Sequence, residues 1–137
     1  MARNGSDDAT RRSTTGVEQV EGLLAYAQTQ PRWGQGAVRN AMKAVSLSRE
    51  LAARDPAEHT QLLVRSLRTT ARLLLRRRRA EEALPLALEA VALARPARGA
   101  PLVTCLSTLA EVYEALQRFG DAAEAATEAA KAADPPD

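Results

Sequence analysis

The stretch LSTLAEVYEALQRFGDAAEAATEAA, residues 106–130, repeats the pattern of LRTTARLLLRRRRAEEALPLALEAV, residues 67–91, at a shift of 39 positions. Large residues mostly match large ones across this shift, and alanines match alanines. The matching pairs are Leu67 with Leu106, Thr70 with Leu109, Ala71 with Ala110, Leu74 with Tyr113, Ala83 with Ala122, Ala87 with Ala126, Ala90 with Ala129 and Pro96 with Pro135. Small residues suit places where helices approach closely, and larger ones fill a core. Such a repeat indicates a stack of similar units.

The composition of the whole chain predicts an all-α fold. Apolar residues make up 45 % of the 137 residues, but aromatic residues only 3 %, because alanine and leucine dominate. These two residues favour helices, whereas the β-branched and aromatic residues that favour strands are scarce. Apolar residues at steps of three and four predict six helices, over residues 17–30, 36–54, 57–77, 80–95, 101–117 and 121–133.

The first fifteen residues differ from the rest of the chain. They contain no leucine or valine and are rich in polar residues. Such a segment buries too little apolar surface to offset the entropy of ordering it. We therefore expect a disordered tail over residues 1–15 and a helical repeat domain over residues 16–137.

The repeated pattern resembles a known family. Leu106-x2-Leu109-Ala110-x2-Tyr113 resembles the tetratricopeptide pattern W-x2-L-G-x2-Y, and Ala122-x3-Ala126 resembles its second half, A-x3-F. Residues 67–96 repeat the spacing, and a weaker unit precedes them. The departures are a period of 39 residues in place of 34 and the absence of the hallmark Trp and Gly.

This resemblance implies an architecture and a mode of action. It implies an α-solenoid of about three antiparallel helical hairpins, a tetratricopeptide-like superhelix in which neighbouring hairpins bury each other's apolar faces. In this family the first helix of each hairpin lines a concave surface that binds peptides or helices. A six-helix bundle with accidental repetition is the alternative.

Four arginines form the sharpest charged feature of the sequence. Arg65, Arg68, Arg72 and Arg76, here called the basic stripe, follow at steps of three and four residues and share one side of a helix. Arginine can hold a carboxylate through two parallel hydrogen bonds. The resemblance places the stripe on the concave side of the middle repeat. We expect it to bind an acidic peptide segment or helix of another protein; a solvated face is the alternative.

Acidic residues gather at the other end of the chain. Residues 102–137 hold seven acidic and two basic residues, whereas residues 62–79 hold seven arginines and no acid. The resemblance places Glu111 and Glu114 on the next inner helix, where they would line the same groove or pair with the basic stripe internally. The acidic end could also meet the basic stripe of a second copy and give a homo-oligomer. Tyr26 is a further candidate for a groove contact.

The run Arg76 to Arg79 raises a second kind of partner. Four arginines at a turn can attract the phosphates of a nucleic acid without sequence preference. No aromatic residue that could stack on bases stands nearby, and no nucleic-acid-binding motif is present. We therefore favour a solvated turn, and nucleic-acid association is the alternative function.

The sequence offers no recognisable catalytic or metal site. His59 is the single histidine, and no nucleophile or second ligand stands at a suitable spacing. Cys105, the single cysteine, lies among apolar residues of a predicted helix and is expected to be buried. We expect a protein-binding scaffold that is not an enzyme and needs neither a cofactor nor a metal.

Cellular location is predicted from what the sequence lacks. No apolar core of a signal peptide stands at the start, and no apolar run approaches the roughly 18 residues of a membrane span. One cysteine allows no intramolecular disulfide, which suits a reducing compartment. We expect a cytoplasmic protein without a membrane segment.

Overall fold

The computed structural model describes residues 5–29 and 36–134, with side chains from Thr10 onward, and every regular element in these ranges is an α-helix. The helices are α1 (Gly5–Thr29), α2 (Gly36–Arg54), α3 (Pro56–Arg76), α4 (Ala80–Ala94), α5 (Gly99–Ala115) and α6 (Phe119–Ala133). The prediction of an all-helical chain is confirmed. Helix α2 has the predicted bounds, and α3 to α6 begin and end within two residues of theirs. Pro135 lies outside the described residues.

The chain divides into two compact units, Met1–Ser66 and Leu67–Asp137, and α3 runs across the point of division. In the first unit α1 packs against α2. Its core joins residues of these two helices at the predicted apolar positions, with partly buried neighbours around them. The core residues are Val20, Leu24, Ala44 and Leu51, packed against Val17, Leu23, Leu47 and Leu62.

Helix α1 starts earlier than the sequence predicts. It begins at Gly5, so residues 5–15 are helical where composition led us to expect a disordered tail; residues 1–4 lie outside the described residues. Tertiary contacts explain the difference. The Ser13 hydroxyl hydrogen-bonds the buried His59 ring of α3, and Gly16 lies so close to Leu51 that an added Cβ would stand 2.9 Å from a methyl carbon. Tertiary packing thus stabilises a helix in a segment whose polar composition alone predicts disorder.

The junction of α2 and α3 is built from Asp55 and Pro56. The backbone N–H of Glu58 donates to the Asp55 carboxylate at 3.3 Å, which makes Asp55 the N-cap of α3. Pro56 occupies the first helical position, where its missing N–H leaves no hydrogen bond unmade. The sequence therefore ends one helix and starts the next without a loop.

The second unit contains the C-terminal part of α3 and the helices α4, α5 and α6, with α4 packed on α5 and α5 on α6. Its core is made of leucine, valine and many alanines. The largest fully buried side chains in this unit include Leu67, Leu106 and Val112. Leu67 and Leu106 are one of the pairs that match across the 39-residue shift.

The two hairpin turns of this unit share one backbone geometry. In the turn after α3 the N–H of Arg79 donates to the carbonyl of Leu74 at 2.9 Å, and in the turn after α5 the N–H of Arg118 donates to that of Tyr113 at 2.8 Å. The two residues of the second hydrogen bond each lie 39 positions after those of the first. Both turns have the hydrogen-bond pattern of a Schellman motif, which ends a helix by closing its last carbonyl groups. The repeat in the sequence is therefore also a repeat in backbone geometry.

The side chains of the two turns repeat as well. Arg79 pairs with Glu82, and Arg118 pairs with Asp121 at 2.8 Å, each three residues further along the chain. The hydrogen bond from Arg79 lowers the pKa of the Glu82 carboxyl. Asp121 lies in the first turn of α6 and accepts a hydrogen bond from Arg118, which stabilises the turn.

Candidate binding surface

Three members of the basic stripe belong to the second unit. Arg68 is half-buried, and Arg72 and Arg76 are exposed. The opposite side of the same helix carries Leu67 and Ala71, both with no exposed surface. This burial fixes the rotation of α3 about its own axis. The arginines therefore lie on the side of α3 that faces away from Leu67 and Ala71.

These three arginines are not neutralised by a neighbouring carboxylate. Among the described residues, no ion pair within 4.0 Å involves Arg68, Arg72 or Arg76. Their positions along α3 differ by four residues, which separates successive Cα atoms by about 6 Å along the helix axis. The result is a row of cationic groups on a buried, hydrogen-bonded helix.

Arg65, the fourth member, lies in the first unit and has a partner. Its guanidinium Nη2 donates to the Glu21 carboxylate of α1 at 3.1 Å, and both side chains are about half exposed. An exposed pair of this kind contributes only about 0.2–1 kcal/mol. Arg65 thus stabilises the packing of α1 modestly, and its charge is already compensated in the unbound protein.

Glu111 and Glu114 lie on the exposed side of α5 in the second unit. The alternative in which they pair internally with the basic stripe is not what the structure shows, because neither forms an ion pair with any described residue. Glu111 stands 39 positions after Arg72, and both are exposed. The two repeats therefore present the same side of corresponding helices with opposite charge.

Tyr26 lies on α1 in the first unit and is 52 % exposed. It takes no part in the core of that unit, to which its neighbours on α1, Val20, Leu24 and Ala27, contribute. Of the residues that the sequence singled out, the second unit thus contains Arg68, Arg72, Arg76, Glu111 and Glu114, and the first contains Tyr26 and Arg65.

The run from Arg76 to Arg79 is used in part by the turn itself. Arg78 has a left-handed backbone, with φ of 61°. Arg79 pairs with Glu82, and its pKa is raised by this hydrogen bond. Two of the four arginines therefore have a role in the hairpin turn, and the run is less available to a phosphate backbone than its sequence suggests.

Cys105 is buried on α5, as the sequence predicts, with 1 % of its surface exposed. Burial in apolar surroundings raises the pKa of its thiol, and the nearby charge of Arg68 opposes this in part. The thiol is held in its neutral, unreactive form.

The sequence did not reveal the contact between Ser13 and His59. The Ser13 Oγ lies 2.5 Å from the His59 Nε2, and the imidazole is only 4 % exposed. Beside them is an open cavity of about 780 Å³, lined among others by Arg12, Arg54 and Asp55. One signal could have predicted this: Ser13 extends backward the four-three spacing of Val17, Val20, Leu24 and Ala27.

No carboxylate among the described residues hydrogen-bonds the His59 ring, so the serine–histidine pair has no third group to orient it. No cluster of three or more histidine, cysteine or acidic side chains in the described ranges could hold a metal ion. Within these ranges, no helix has the length and apolar character needed to cross a membrane.

Comparison with known proteins adds no assignment: no family model, curated protein or solved structure matches this chain.

Proposed function

We propose that this chain is a tetratricopeptide-like helical repeat that binds a partner protein, and that Arg68, Arg72 and Arg76 hold acidic side chains of that partner. The observation that carries the proposal is the row of three arginines on a rigid helix, none of them in an ion pair with a described residue. The repeated hairpin turns support the solenoid architecture.

The mechanism is preorganisation. Packing of Leu67, Ala71 and Leu74 holds α3 in place before the partner arrives. The partner's carboxylates then meet guanidinium groups whose backbone is already ordered, so less conformational entropy is lost on binding. Each arginine can form two parallel hydrogen bonds with one carboxylate.

The spacing of the arginines limits the partner's geometry. Arg68 and Arg72 are about 6 Å apart along the helix axis. Acidic residues two apart on an extended peptide, about 7 Å, or four apart on a helix, about 6 Å, fit this spacing. The partner is thus an acidic segment with carboxylates at one of these two spacings.

In this proposal, helix α5 of the same unit sets the orientation of the bound segment. Glu111 and Glu114 on α5 repel an acidic segment and attract a basic one. A partner with acidic residues over α3 and a lysine or arginine over α5 matches both faces. A purely acidic partner matches only one.

Affinity capture from host lysate tests the proposal, with the double variant Arg68→Glu/Arg72→Glu as the comparison. The matched control is Arg39→Glu/Arg98→Glu, which makes the same change in net charge at two exposed arginines on α2 and in the α4–α5 turn. We expect captured proteins to be lost with the first variant, kept with the control and unaffected by nuclease. Capture that survives Arg68→Glu/Arg72→Glu with intact helicity contradicts the proposal.

Nuclease treatment distinguishes protein binding from the alternative function, which is nucleic-acid association. Capture that vanishes after nuclease treatment and falls steeply with salt would indicate a nucleic-acid partner held by phosphate contacts. The pairing of Arg79 with Glu82 makes this the weaker candidate, because it occupies one arginine of the run.

A further inference from the structure

The first turns of α1, residues 5–16, differ in composition from the rest of that helix and are here called the strap. Threonine, serine and glycine occupy five of the seven positions from 10 to 16. These residues rank below alanine, leucine and arginine in helix propensity. Residues 17–29 instead contain Val20 and Leu24, which belong to the core of the first unit. The change in character falls between Gly16 and the residue after it.

Hydroxyl side chains of the strap compete with its helical backbone. The Thr14 hydroxyl donates to the carbonyl of Thr10 at 3.0 Å, and the Thr15 hydroxyl donates to that of Arg11 at 3.0 Å. A hydroxyl that bonds back to the carbonyl four residues earlier slightly weakens a helix. The strap is therefore a weak helix by itself, and it depends on contacts with other helices.

Ser13 and Gly16 hold the strap against α3 and α2. The Ser13 Oγ lies 2.5 Å from the His59 Nε2, and Gly16 approaches Leu51 so closely that an added Cβ would stand 2.9 Å from a methyl carbon. Both residues of the strap are half-buried, whereas the other side chains of residues 10–16 are exposed. Over this range the strap therefore removes little of its own apolar surface from water.

Two open cavities flank the strap. One, of about 780 Å³, is lined by Ser13 and Thr14, and the other, of about 360 Å³, is lined by Thr15 and Gly16; Leu51 lines both. Atoms that face an open cavity lose the dispersion contacts that a packed neighbour would give. The strap thus lies over Leu51 with open space on its flanks, unlike a helix in a close-packed core.

We propose that the strap opens about Gly16 as a unit while residues 17–29 stay folded, and that this opening uncovers His59 and Leu51. Both residues are buried when the strap is closed, with 4 % and 6 % of their surface exposed. Gly16 suits the hinge, because glycine has the widest choice of backbone angles. Opening gives up a weak helix and few apolar contacts, so its free energy lies well below that of global unfolding.

The strap is thus a movable cover over the junction at which α2 ends and α3 begins. It lies in the first unit, so this inference does not depend on the proposed binding of an acidic partner by the second unit.

Hydrogen exchange, followed residue by residue by NMR, tests the opening. The N–H groups of residues 9–16 have a helical carbonyl four residues earlier, since α1 begins at Gly5. We expect these amides to share one protection factor, about a hundredfold or more below that of residues 20–27. Simple fraying would instead give protection that rises gradually along the helix. A gradual rise, or equal protection in the two ranges, overturns the proposal.

His59 is the single histidine of the chain, so its chemical modification reports the opening directly. Diethyl pyrocarbonate acylates an accessible imidazole, and the buried ring becomes accessible when the strap opens. Thr15 is exposed and does not line the cavity at His59, so substitutions there change the strap without touching the ring. We expect His59 to react about fivefold faster in Thr15→Gly than in Thr15→Ala, because glycine weakens the strap helix.

Ala25→Gly is the matched control, since it makes the same loss of helix propensity at an exposed position of α1 outside the strap. Its His59 should react at the wild-type rate, because Ala25 stays helical when the strap opens. If Ala25→Gly accelerates the reaction as much as glycine does at Thr15, the ring is reached by unfolding of the whole unit, and the proposal is overturned. A ring that stays unreactive until urea unfolds the protein overturns it as well.

Discussion

Arg78 and Gln117 occupy the same position in two successive hairpin turns, and each has a left-handed backbone with φ of 61°. They lie 39 residues apart, like the matching residues of the flanking helices. Each follows the end of a helix at the position where glycine is most often found. The backbone of the turn is thus conserved between the repeats although neither turn has glycine at this position.

These two residues provide a stability prediction. A side chain at positive φ is strained, and glycine is not. We expect Arg78→Gly and Gln117→Gly each to raise the free energy of unfolding by up to about 1 kcal/mol. Urea denaturation measures this, with Ala92→Gly in a helix interior as a control that should be destabilised by about the same amount. A loss of stability at both turn positions would contradict the assigned geometry.

The two glycines of α1 should respond in opposite ways to alanine. Gly22 has no atom within 4 Å of an added Cβ, so Gly22→Ala should stabilise the protein by about 0.5–1 kcal/mol through helix propensity. At Gly16 the added Cβ would stand 2.9 Å from the buried Leu51 side chain, so Gly16→Ala should not stabilise and should cost stability if Leu51 cannot move. Thermal unfolding compares the pair. Equal stabilisation at both sites would contradict the packing of α1 against α2.

Asp55 should contribute to the stability of α3 through its capping hydrogen bond. We expect Asp55→Ala to lower the free energy of unfolding by about 1 kcal/mol, with a range of 0.5–2. Asp55→Asn should lose much less, because its amide oxygen can accept the same N–H of Glu58. If both variants unfold at the same denaturant concentration as wild type, Asp55 is not a cap.

Cys105 should make the protein less stable at alkaline pH. Burial raises the pKa of its thiol in the folded state above the ordinary value, which the unfolded chain retains. Below the ordinary pKa both states bind the proton and stability is unaffected. As pH rises above that value the unfolded chain ionises first, so stability falls until the folded thiol also ionises.

Urea denaturation at a pH below and a pH above the ordinary thiol pKa measures the effect. Cys105→Ala is the control, because it removes the titrating group and with it this part of the pH dependence. The native thiol should also react slowly with a thiol reagent until urea unfolds the protein. Rapid reaction of the folded wild type would contradict the burial of Cys105.

The helices of this chain could be predicted from sequence because their signals are local. Apolar residues at steps of three and four mark α2 to α6, and Asp55 with Pro56 marks the α2–α3 boundary. The start of α1 could not be predicted from composition, since residues 5–15 are polar. Their helicity depends on contacts with His59 and Leu51, which are distant in sequence.

Prediction of the candidate site from sequence meets the same limit, because contacts between distant residues are not visible in local spacing. The spacing alone predicts that Arg68, Arg72 and Arg76 share one side of α3. The structure agrees, because α3 buries its opposite side. The pairing of Arg65 with Glu21 did not follow, because it joins two helices 44 residues apart in the chain. Nor could spacing decide whether Glu111 and Glu114 neutralise the basic stripe. That answer requires the positions of the side chains.

The central claim is that Arg68, Arg72 and Arg76 bind carboxylates, and fluorescence anisotropy with a labelled peptide tests it most directly. The peptide carries glutamates two residues apart at one end and a lysine at the other; a peptide with glutamine in place of glutamate is the control. We predict saturable binding that weakens at least tenfold with Arg68→Glu/Arg72→Glu, a loss of about 1.4 kcal/mol or more, and persists with Arg39→Glu/Arg98→Glu. Equal binding by the two variants, or no preference for glutamate over glutamine, would contradict the account.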